Sequence, residues 1–354
     1  MFMPVYDKES RQLVNKARTL GTGALSINLQ DHELLRLCVI TATDLDKREL
    51  VKDVLTQEEK VTDYYSMPLE WFNRPTSGNA NFVEIFLLLK QNIVDFATYF
   101  EKLCELHKRR LKFKMLLEHQ AFPQMEQIVP RCLLEYGLKP SETLASWLVW
   151  RKWLYDRDNR SAQETGYLFE PILSAAIGGI PFASRKSPIK RTHEPSRGGQ
   201  VDCLDGKMAY EFKMRVTIAA SGQGRFKEEL DFAQDCFNSG YTPIFLVLDP
   251  TPSTRLDELK SEYKKYHGDA YIGNDAWLHI EEKAGEVMGK FVEKYVKVPL
   301  KEVDVMYRDL QLVQIIKTNS AINIRVGNES FSISRTEPQI DYGDAEEDRD
   351  LYEG

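Results

Sequence analysis

The chain has 354 residues, of which 42% are hydrophobic and 29% are charged, a composition typical of a globular protein with one large core or two smaller ones. No apolar run approaches the roughly 18 residues that a membrane-spanning helix needs, and the N-terminus, MFMPVYDKES, lacks the basic start and apolar stretch of a secretory signal. Five widely scattered cysteines without a CxxC pair suggest neither a disulfide framework nor a zinc site, and they favour a reduced, cytoplasmic protein.

The net charge of −7 is concentrated at one end of the chain. Residues 337–354, EPQIDYGDAEEDRDLYEG, contain eight acids and one arginine, so the preceding 336 residues balance to zero. We expect this acidic tail to be disordered. The overall charge therefore does not exclude a nucleic-acid partner for the rest of the chain.

Residues 1–160 are predicted to form a helical domain. Apolar residues recur at spacings of three and four over Phe82–Leu106 and again over Leu144–Leu154, as in amphipathic helices. A run of basic residues in this region could bind phosphates, although a solvated helix face explains it more simply. The run comprises Lys108, Arg109, Arg110, Lys112 and Lys114. DNA recognition and dimerisation both remain open as roles for this domain.

The pattern changes near residue 161, where a second domain is predicted to extend to about residue 300. The stretch SAQETGYLFEPILSAAIGG indicates a helix of about fifteen residues that ends at Gly178–Gly179. A basic loop, a hairpin and a further helix follow, and PIFLVLDP then has the continuous apolar pattern of a strand buried on both faces. The order helix, strand, strand, helix, strand predicts an α/β fold in which helices flank a mixed sheet.

The C-terminal part of the chain is predicted to contain more helices and then strands. Two helices are expected near Thr254–Tyr266 and Ala276–Tyr295. Residues 301–336 form a β-hairpin region in this interpretation, because AINIRVGNESFSIS alternates on both sides of a turn at Gly327–Asn328.

The stretch GGQVDCLDGKMAYEFKMR, Gly198–Arg215, contains the strongest chemical signal. Asp205–Gly206 favours a two-residue turn, which sets a register with Asp202 opposite Ala209 and diagonal to Glu211. Side chains alternate between the faces of a strand, so the two acids share the face opposite the apolar residues.

Two acids and a lysine on one strand face are an unusual combination. Carboxylates about 5 Å apart repel by roughly 3 kcal/mol at an effective dielectric constant near 20, and a divalent cation would reverse that interaction. Asp202 and Glu211 offer the hard oxygen ligands that Mg²⁺ prefers, and Lys213 could hold an attacking water beside them. A surface charge cluster on an edge hairpin is the alternative explanation.

These residues resemble the motif of the PD-(D/E)xK nuclease superfamily. Asp202, eight intervening residues and then Glu211-Phe212-Lys213 match it, with Val201 in place of the proline. The resemblance implies that Asp202 and Glu211 bind the metal and that Lys213 positions the water nucleophile. It also implies a further acid on the preceding helix, which is Glu170, with Glu164 as the alternative.

Within that superfamily, a chain of this size with an added helical domain is most like a type II restriction endonuclease. The stretches RVTIAASGQGRFKEELDFAQDC and FLVLDPTP are similar to the ApaLI-like restriction enzymes. The resemblance implies a prokaryotic, cytoplasmic enzyme that requires Mg²⁺ and hydrolyses double-stranded DNA at a specific sequence. It further implies a homodimer, because palindromic sites invite two-fold symmetry, and a DNA methyltransferase that serves the same system without physical contact.

DNA contacts are expected from basic and polar side chains around the hairpin. These are Arg185, Lys186, Lys190, Arg191 and Arg197 before it, and Gln223 and Arg225 after it. The last two begin a helix whose amides could also meet a phosphate, although an ordinary loop before the helix explains them equally well. A structure-specific or repair nuclease and a non-catalytic DNA-binding module remain the alternative functions.

Overall fold

The computed structural model describes residues 7–56, 59–61, 63–77, 80–214, 222–306 and 310–337. Its helices are α1 Lys8–Arg18, α2 Asp31–Asp44, α3 Leu69–Phe72, α4 Phe82–Asn92, α5 Phe96–His119, α6 Met125–Ile128, α7 Ser141–Ile177, α8 Gly222–Asn238, α9 Thr254–Lys265, α10 Asn274–Lys283, α11 Glu286–Val292 and α12 Val298–Met306. Its strands are β1 Thr19–Leu20, β2 Ile27–Asn28, β3 Ile180–Phe182, β4 Lys190–Arg191, β5 Glu194–Gly198, β6 Val201–Asp205, β7 Met208–Lys213, β8 Thr242–Val247, β9 Asp269–Ile272, β10 Val313–Lys317, β11 Ala321–Val326 and β12 Glu329–Ser334. The acidic tail that we expect to be disordered lies outside the described residues from position 338 onward.

The N-terminal region is helical, as the apolar spacing predicts. The apolar pattern over Phe82–Leu106 is divided between α4 and α5, because Asp95 adopts a left-handed backbone with φ 53°. None of the described helices is long and apolar enough to span a bilayer.

Helix α7 joins two segments that the sequence pattern predicts separately. It runs for 37 residues through the predicted boundary near residue 160, and it ends at Gly178, whose φ of 85° suits a glycine after a helix. Pro171 lies inside it and removes one backbone hydrogen bond without ending it. One continuous helix therefore links the N-terminal region to the sheet.

The central sheet has the strand order β3-β6-β7-β8-β9. Strand β6 pairs antiparallel with both β3 and β7, whereas β8 pairs parallel with both β7 and β9, so the predicted mixed α/β sheet is confirmed. Ile244 and Leu246 of β8 belong to the core shared with the N-terminal helices. Phe245 and Val247 belong to a second core with residues of α8 and α9, so β8 is buried on both faces as predicted.

The hairpin turn lies one residue further along the chain than predicted. Asp205 pairs with Met208, which leaves Gly206 and Lys207 as the central residues. Gly206 is therefore the first central residue of the turn, and its φ of 58° is what a type II′ turn requires there. The prediction from the sequence places Gly206 at the second central position of a type I′ turn.

This turn shifts the strand pairing by two residues. Leu204, rather than Asp202, lies opposite Ala209, and continuing the same register places Asp202 opposite Glu211. A shift of two residues keeps each side chain on its predicted face, because the side-chain period of a strand is two. The face that carries the acids is covered by protein at this point, since Ala209 is fully buried in the second core.

The C-terminal predictions are confirmed in outline. The helix near Thr254–Tyr266 is α9, and the hairpin at Gly327 is formed by β11 and β12 with β10 added alongside. The segment Ala276–Tyr295 is divided between α10 and α11, because the chain leaves the helical conformation at Ala284.

Candidate active site

Three elements bring the predicted acids and lysine together. Glu170 lies in the last third of α7, Asp202 on β6, and Glu211 and Lys213 on β7. Asp202 is buried, and one of its carboxylate oxygens accepts a hydrogen bond from the Phe212 backbone N–H at 2.9 Å. Strand β7 is the central strand of the sheet, so the interpretation of an exposed cluster on an edge hairpin is wrong.

Lys213 bridges two carboxylates from different elements. Its Nζ donates to Glu211 Oε1 at 2.6 Å and lies 2.9 Å from Oε1 of Glu229 on α8. The sequence interpretation missed Glu229. It lies three residues after Phe226 and four before Ala233, both on the predicted apolar stripe, so helical periodicity already turns it toward the sheet.

Burial and mutual repulsion act on the acids of this cluster. Burial raises the pKa of Asp202 well above its usual range, and the carboxylates of Glu211 and Glu170 raise it further. Burial likewise raises the pKa of Glu170 to about 7, and Glu211 adds to that shift. The pKa of Glu229 is raised to about 7 by burial and then by Glu211. The folded chain therefore concentrates carboxyl groups that a cation would stabilise.

Lys213 remains charged in these surroundings. Burial alone would lower its pKa, but the carboxylates of Glu211, Glu229 and Asp202 outweigh burial and hold the pKa well above its usual range. The side chain is therefore an ammonium at neutral pH. It can donate hydrogen bonds and stabilise negative charge, but it cannot accept a proton.

The cluster opens into a wide cleft. A cavity of about 1320 Å³ is lined by Glu170 and Lys213 and, on its walls, by Trp277, Lys297 and Lys301. A smaller cavity of about 20 Å³ lies between Glu170 and Asp202, which is enough for one water-sized occupant. The site is thus accessible to a large substrate.

The residues present fit a hard divalent cation. Among the described residues, no group of three or more His, Cys, Asp or Glu side chains has the spacing of a complete metal-ligand set. Mg²⁺ does not need one, because it keeps several waters and is held by one or two carboxylates together with substrate phosphate oxygens. Asp202 and Glu211 offer two such carboxylates on paired strands, and their repulsion would be relieved by the ion.

The basic side chains predicted before the hairpin lie on the surface. Arg185 and Lys186 form a short 3-10 turn, and Lys190, Arg191 and Arg197 lie on β4 and β5; all five are exposed. The same segment contributes Phe182 and Ala183 to the small cavity beside Asp202. Gln223 and Arg225 lie in the first turn of α8, and their side chains fall outside the described residues.

The central residues of the basic run on α5 are buried. The predictions of phosphate binding and of a solvated helix face are therefore both wrong for them. Lys108 is buried and donates to the carbonyl oxygen of Lys16 at 2.6 Å. Arg109 is also buried and contacts Glu105 at 2.9 Å and Glu164 at 3.0 Å. These cations neutralise acids inside the helical region instead of facing solvent or DNA.

Glu164, the alternative acid on the preceding helix, belongs to this internal network. Besides Arg109, its carboxylate lies 3.4 Å from Lys112 and 3.2 Å from Arg160. Glu170 lies six residues further along α7 and is the acid whose charge interacts with Glu211. The structure therefore brings Glu170, and not Glu164, to the cluster.

Comparisons with known proteins identify the family of the chain. A family model described as ApaLI-like restriction endonuclease matches residues 51–297. The type II restriction enzyme ApaLI of Acetobacter pasteurianus is 41% identical over 364 aligned residues, which cover 96% of this chain and 97% of that protein. No solved structure matches the chain. From the matched length and this identity, the chain belongs to the ApaLI-like restriction endonuclease family.

Proposed function

We propose that Asp202, Glu211, Lys213 and Glu170 form the hydrolytic centre of this restriction endonuclease. The family is one of type II, site-specific deoxyribonucleases, so the substrate is double-stranded DNA and the reaction is phosphodiester hydrolysis. The observation that supports this location best is the Lys213 ammonium, which is held between two carboxylates and lines an open cleft.

The family requires a divalent metal, and we assign Mg²⁺ with Asp202 and Glu211 as its protein ligands. When bound, such an ion polarises a phosphate oxygen and makes a coordinated water more acidic. Glu170 faces the same cleft and adds a third carboxylate within electrostatic range of Glu211.

The amine of Lys213 supplies the positive hydrogen-bond donor that hydrolysis of a phosphodiester needs. It points into the cleft, where it can orient the attacking water and stabilise the charge that develops on the phosphate oxygens. Glu229 and Glu211 hold this amine in place from α8 and β7. In this scheme Glu229 is a positioning residue and not a metal ligand.

The DNA duplex would lie along the cleft, with phosphates contacted by the exposed cations before the hairpin. We assign this role to Arg185, Lys186, Lys190, Arg191 and Arg197, and we keep Gln223 and Arg225 as candidates. Residues 161–300 would then be the catalytic domain, 301–336 a C-terminal β region, and 1–160 a helical domain for recognition or dimerisation. We further propose a homodimer in a prokaryotic cytoplasm, paired functionally with a DNA methyltransferase.

Cleavage of plasmid DNA by purified variants tests the assignment of the site. Discrete fragments are expected with Mg²⁺ and none with Ca²⁺. Glu211→Ala and Lys213→Ala should each lower the cleavage rate by a factor of at least about 100 while DNA binding in Ca²⁺ is retained. Glu258→Ala is a matched control, because Glu258–Lys260 repeats the same spacing on the exposed side of α9. Normal cutting by both site variants would falsify the assignment.

A further inference from the structure

We call residues 121–158 the arm, because their buried apolar residues form a cluster separate from the two main cores. It contains α6, a 3-10 turn at Val129–Leu134 and the first half of α7. Its own core consists of Ile128, Leu144 and Leu148, which are buried as a separate cluster. So small a core leaves many of the apolar side chains of the arm exposed.

Residues 133–138, which we call the tip of the arm, expose several large apolar side chains close together in the sequence. Leu133, Leu134, Tyr136 and Leu138 are between 71% and 88% exposed, which is far outside the usual behaviour of such side chains. Exposed apolar residues are normal when they are scattered singly, whereas a contiguous group indicates an interaction site.

Ion pairs join this tip to one side of α7. Glu135 accepts from Lys139 at 2.7 Å and from Arg151 at 2.5 Å, and Arg151 in turn stacks on the ring of Trp147. The tip and this part of α7 therefore form one surface, which we call the arm patch. The arm patch comprises Leu133, Leu134, Tyr136, Leu138, Trp147, Leu154 and Tyr155.

We propose that the arm patch is the interface through which two copies of this chain associate. The seven residues together expose on the order of 900 Å², which is close to the roughly 800 Å² per partner of a stable protein interface. This inference extends the proposed homodimer by naming the surface that forms it.

The charge of the arm favours a second copy over DNA. Residues 125–158 contain five basic and five acidic side chains, so their net charge is zero. Lys139 and Arg151 are paired with Glu135, and Lys152 is paired with Asp156. A neutral, apolar surface does not attract phosphates, but it is self-complementary across a two-fold axis.

The location of the arm patch also suits a dimer that cuts two strands. Helix α7 carries Tyr155 in the arm patch and Glu170 in the site, fifteen residues or about 23 Å apart along one helix. Pairing two arms would therefore relate the two active sites through a pair of rigid helices.

Sedimentation velocity of the full chain tests the inference. The wild-type chain is expected to sediment as a dimer at micromolar concentration, and the double variant Leu134→Glu/Leu138→Glu is expected to weaken the dimer at least tenfold, because it introduces buried like charges. Both positions are highly exposed, so the variant should retain the circular dichroism spectrum of the wild type. Val303→Glu is the matched control, since Val303 on α12 is 72% exposed but lies outside the arm.

The outcomes separate this inference from the proposed hydrolytic centre. A monomeric wild-type chain, an undisturbed dimer in the double variant, or equal dissociation by Val303→Glu would each overturn the arm interface. Glu211→Ala should sediment as the wild type does, because it changes the cleft and not the arm. If Glu211→Ala cleaved DNA normally, the hydrolytic centre would be wrong while the arm interface stood.

Discussion

At the residue scale, the site depends on how firmly Lys213 is held. A lysine ammonium group with a single acceptor can still change its position around that acceptor. Lys213 has two acceptors on separate elements, Glu211 at 2.6 Å and Glu229 at 2.9 Å, and they fix its position. One oxygen of Glu229 is buried without a hydrogen-bond partner, so burial of this carboxylate carries a desolvation cost that its ion pair with Lys213 offsets only in part. Such a cost is consistent with a positioning role, because small displacements of a catalytic group reduce the rate strongly.

Glu229→Ala should therefore lower the single-turnover cleavage rate by about 10- to 100-fold, because Lys213 would lose one of its two fixed acceptors. DNA affinity measured in Ca²⁺ should stay within about twofold of the wild type, since Glu229 is a positioning residue in the proposed site and does not contact DNA. Glu229→Gln should recover part of the rate, because its amide oxygen can still accept from the amine.

Glu228→Gln is the control for this prediction, because Glu228 is exposed on the adjacent face of α8. Equal losses of rate from changes at Glu228 and Glu229, or a loss of affinity that accounts for the whole effect, would argue against the positioning role.

At the element scale, α5 is stabilised by buried ion pairs, although its sequence pattern is typical of a solvent-exposed charged face. Glu105 lies between Lys108 at 3.0 Å and Arg109 at 2.9 Å, and both cations are buried. Burial alone would raise the pKa of Glu105, but the two cations outweigh it and lower the pKa to about 2. The carboxylate therefore stabilises the folded state as long as it is ionised.

We expect Glu105→Gln to lower the free energy of unfolding at pH 7 by about 3 kcal/mol, because it leaves Lys108 and Arg109 buried without the carboxylate of Glu105. Because the folded pKa is depressed, this contribution is fully present above pH 4.5 and is lost as the pH falls toward 2. Urea titrations at pH 7, 5 and 3 measure the difference between variant and wild type.

The difference in the free energy of unfolding between Glu105→Gln and the wild type should become smaller between pH 5 and pH 3. Glu126→Gln provides the comparison, because Glu126 is an exposed acid of the short helix α6. A difference between Glu105→Gln and the wild type that did not change with pH would show that the pairs with Lys108 and Arg109 are not its source.

At the scale of the whole molecule, the largest core contains residues of α2, α4 and α5 together with residues of β7, β8 and α11. The sheet is thus supported on one side by the N-terminal helices and on the other by α8 and α9. The cleft is lined by α7, the end of β7, α10 and α12. Lys213 therefore lies on a strand that is packed from both sides, at the point where the strand reaches the cleft.

If two arms pair, the two strands of one DNA site are cut by one complex. A plasmid with a single recognition site should then pass from supercoiled to linear with little open-circle intermediate. The variant Leu134→Glu/Leu138→Glu should accumulate the open circle at several times the wild-type level, because each monomer cuts one strand per encounter. Gel electrophoresis of a time course measures this, and linearisation by the variant at the wild-type rate, without open circles, would contradict the prediction.

Much of the fold follows from local sequence patterns. The apolar run of β8, the glycine stop of α7 and the hairpin at Gly327 each depend on residues within one or two turns of chain. The shared face of Asp202, Glu211 and Lys213 was predictable in the same way, and it survived a two-residue error in register because strand faces repeat every two residues.

The remaining features of the site depend on packing between segments far apart in the chain. Glu229 reaches Lys213 only because α8 packs on the sheet, and Lys108 and Arg109 are internal only because α1 and α7 cover α5. Local periodicity specifies which residues share a face, but it does not specify which other element covers that face. For this chain, local sequence was sufficient for the α/β class and for the shared face of the two acids and the lysine, whereas helix packing alone decided which charged groups meet at the candidate site and which are buried elsewhere.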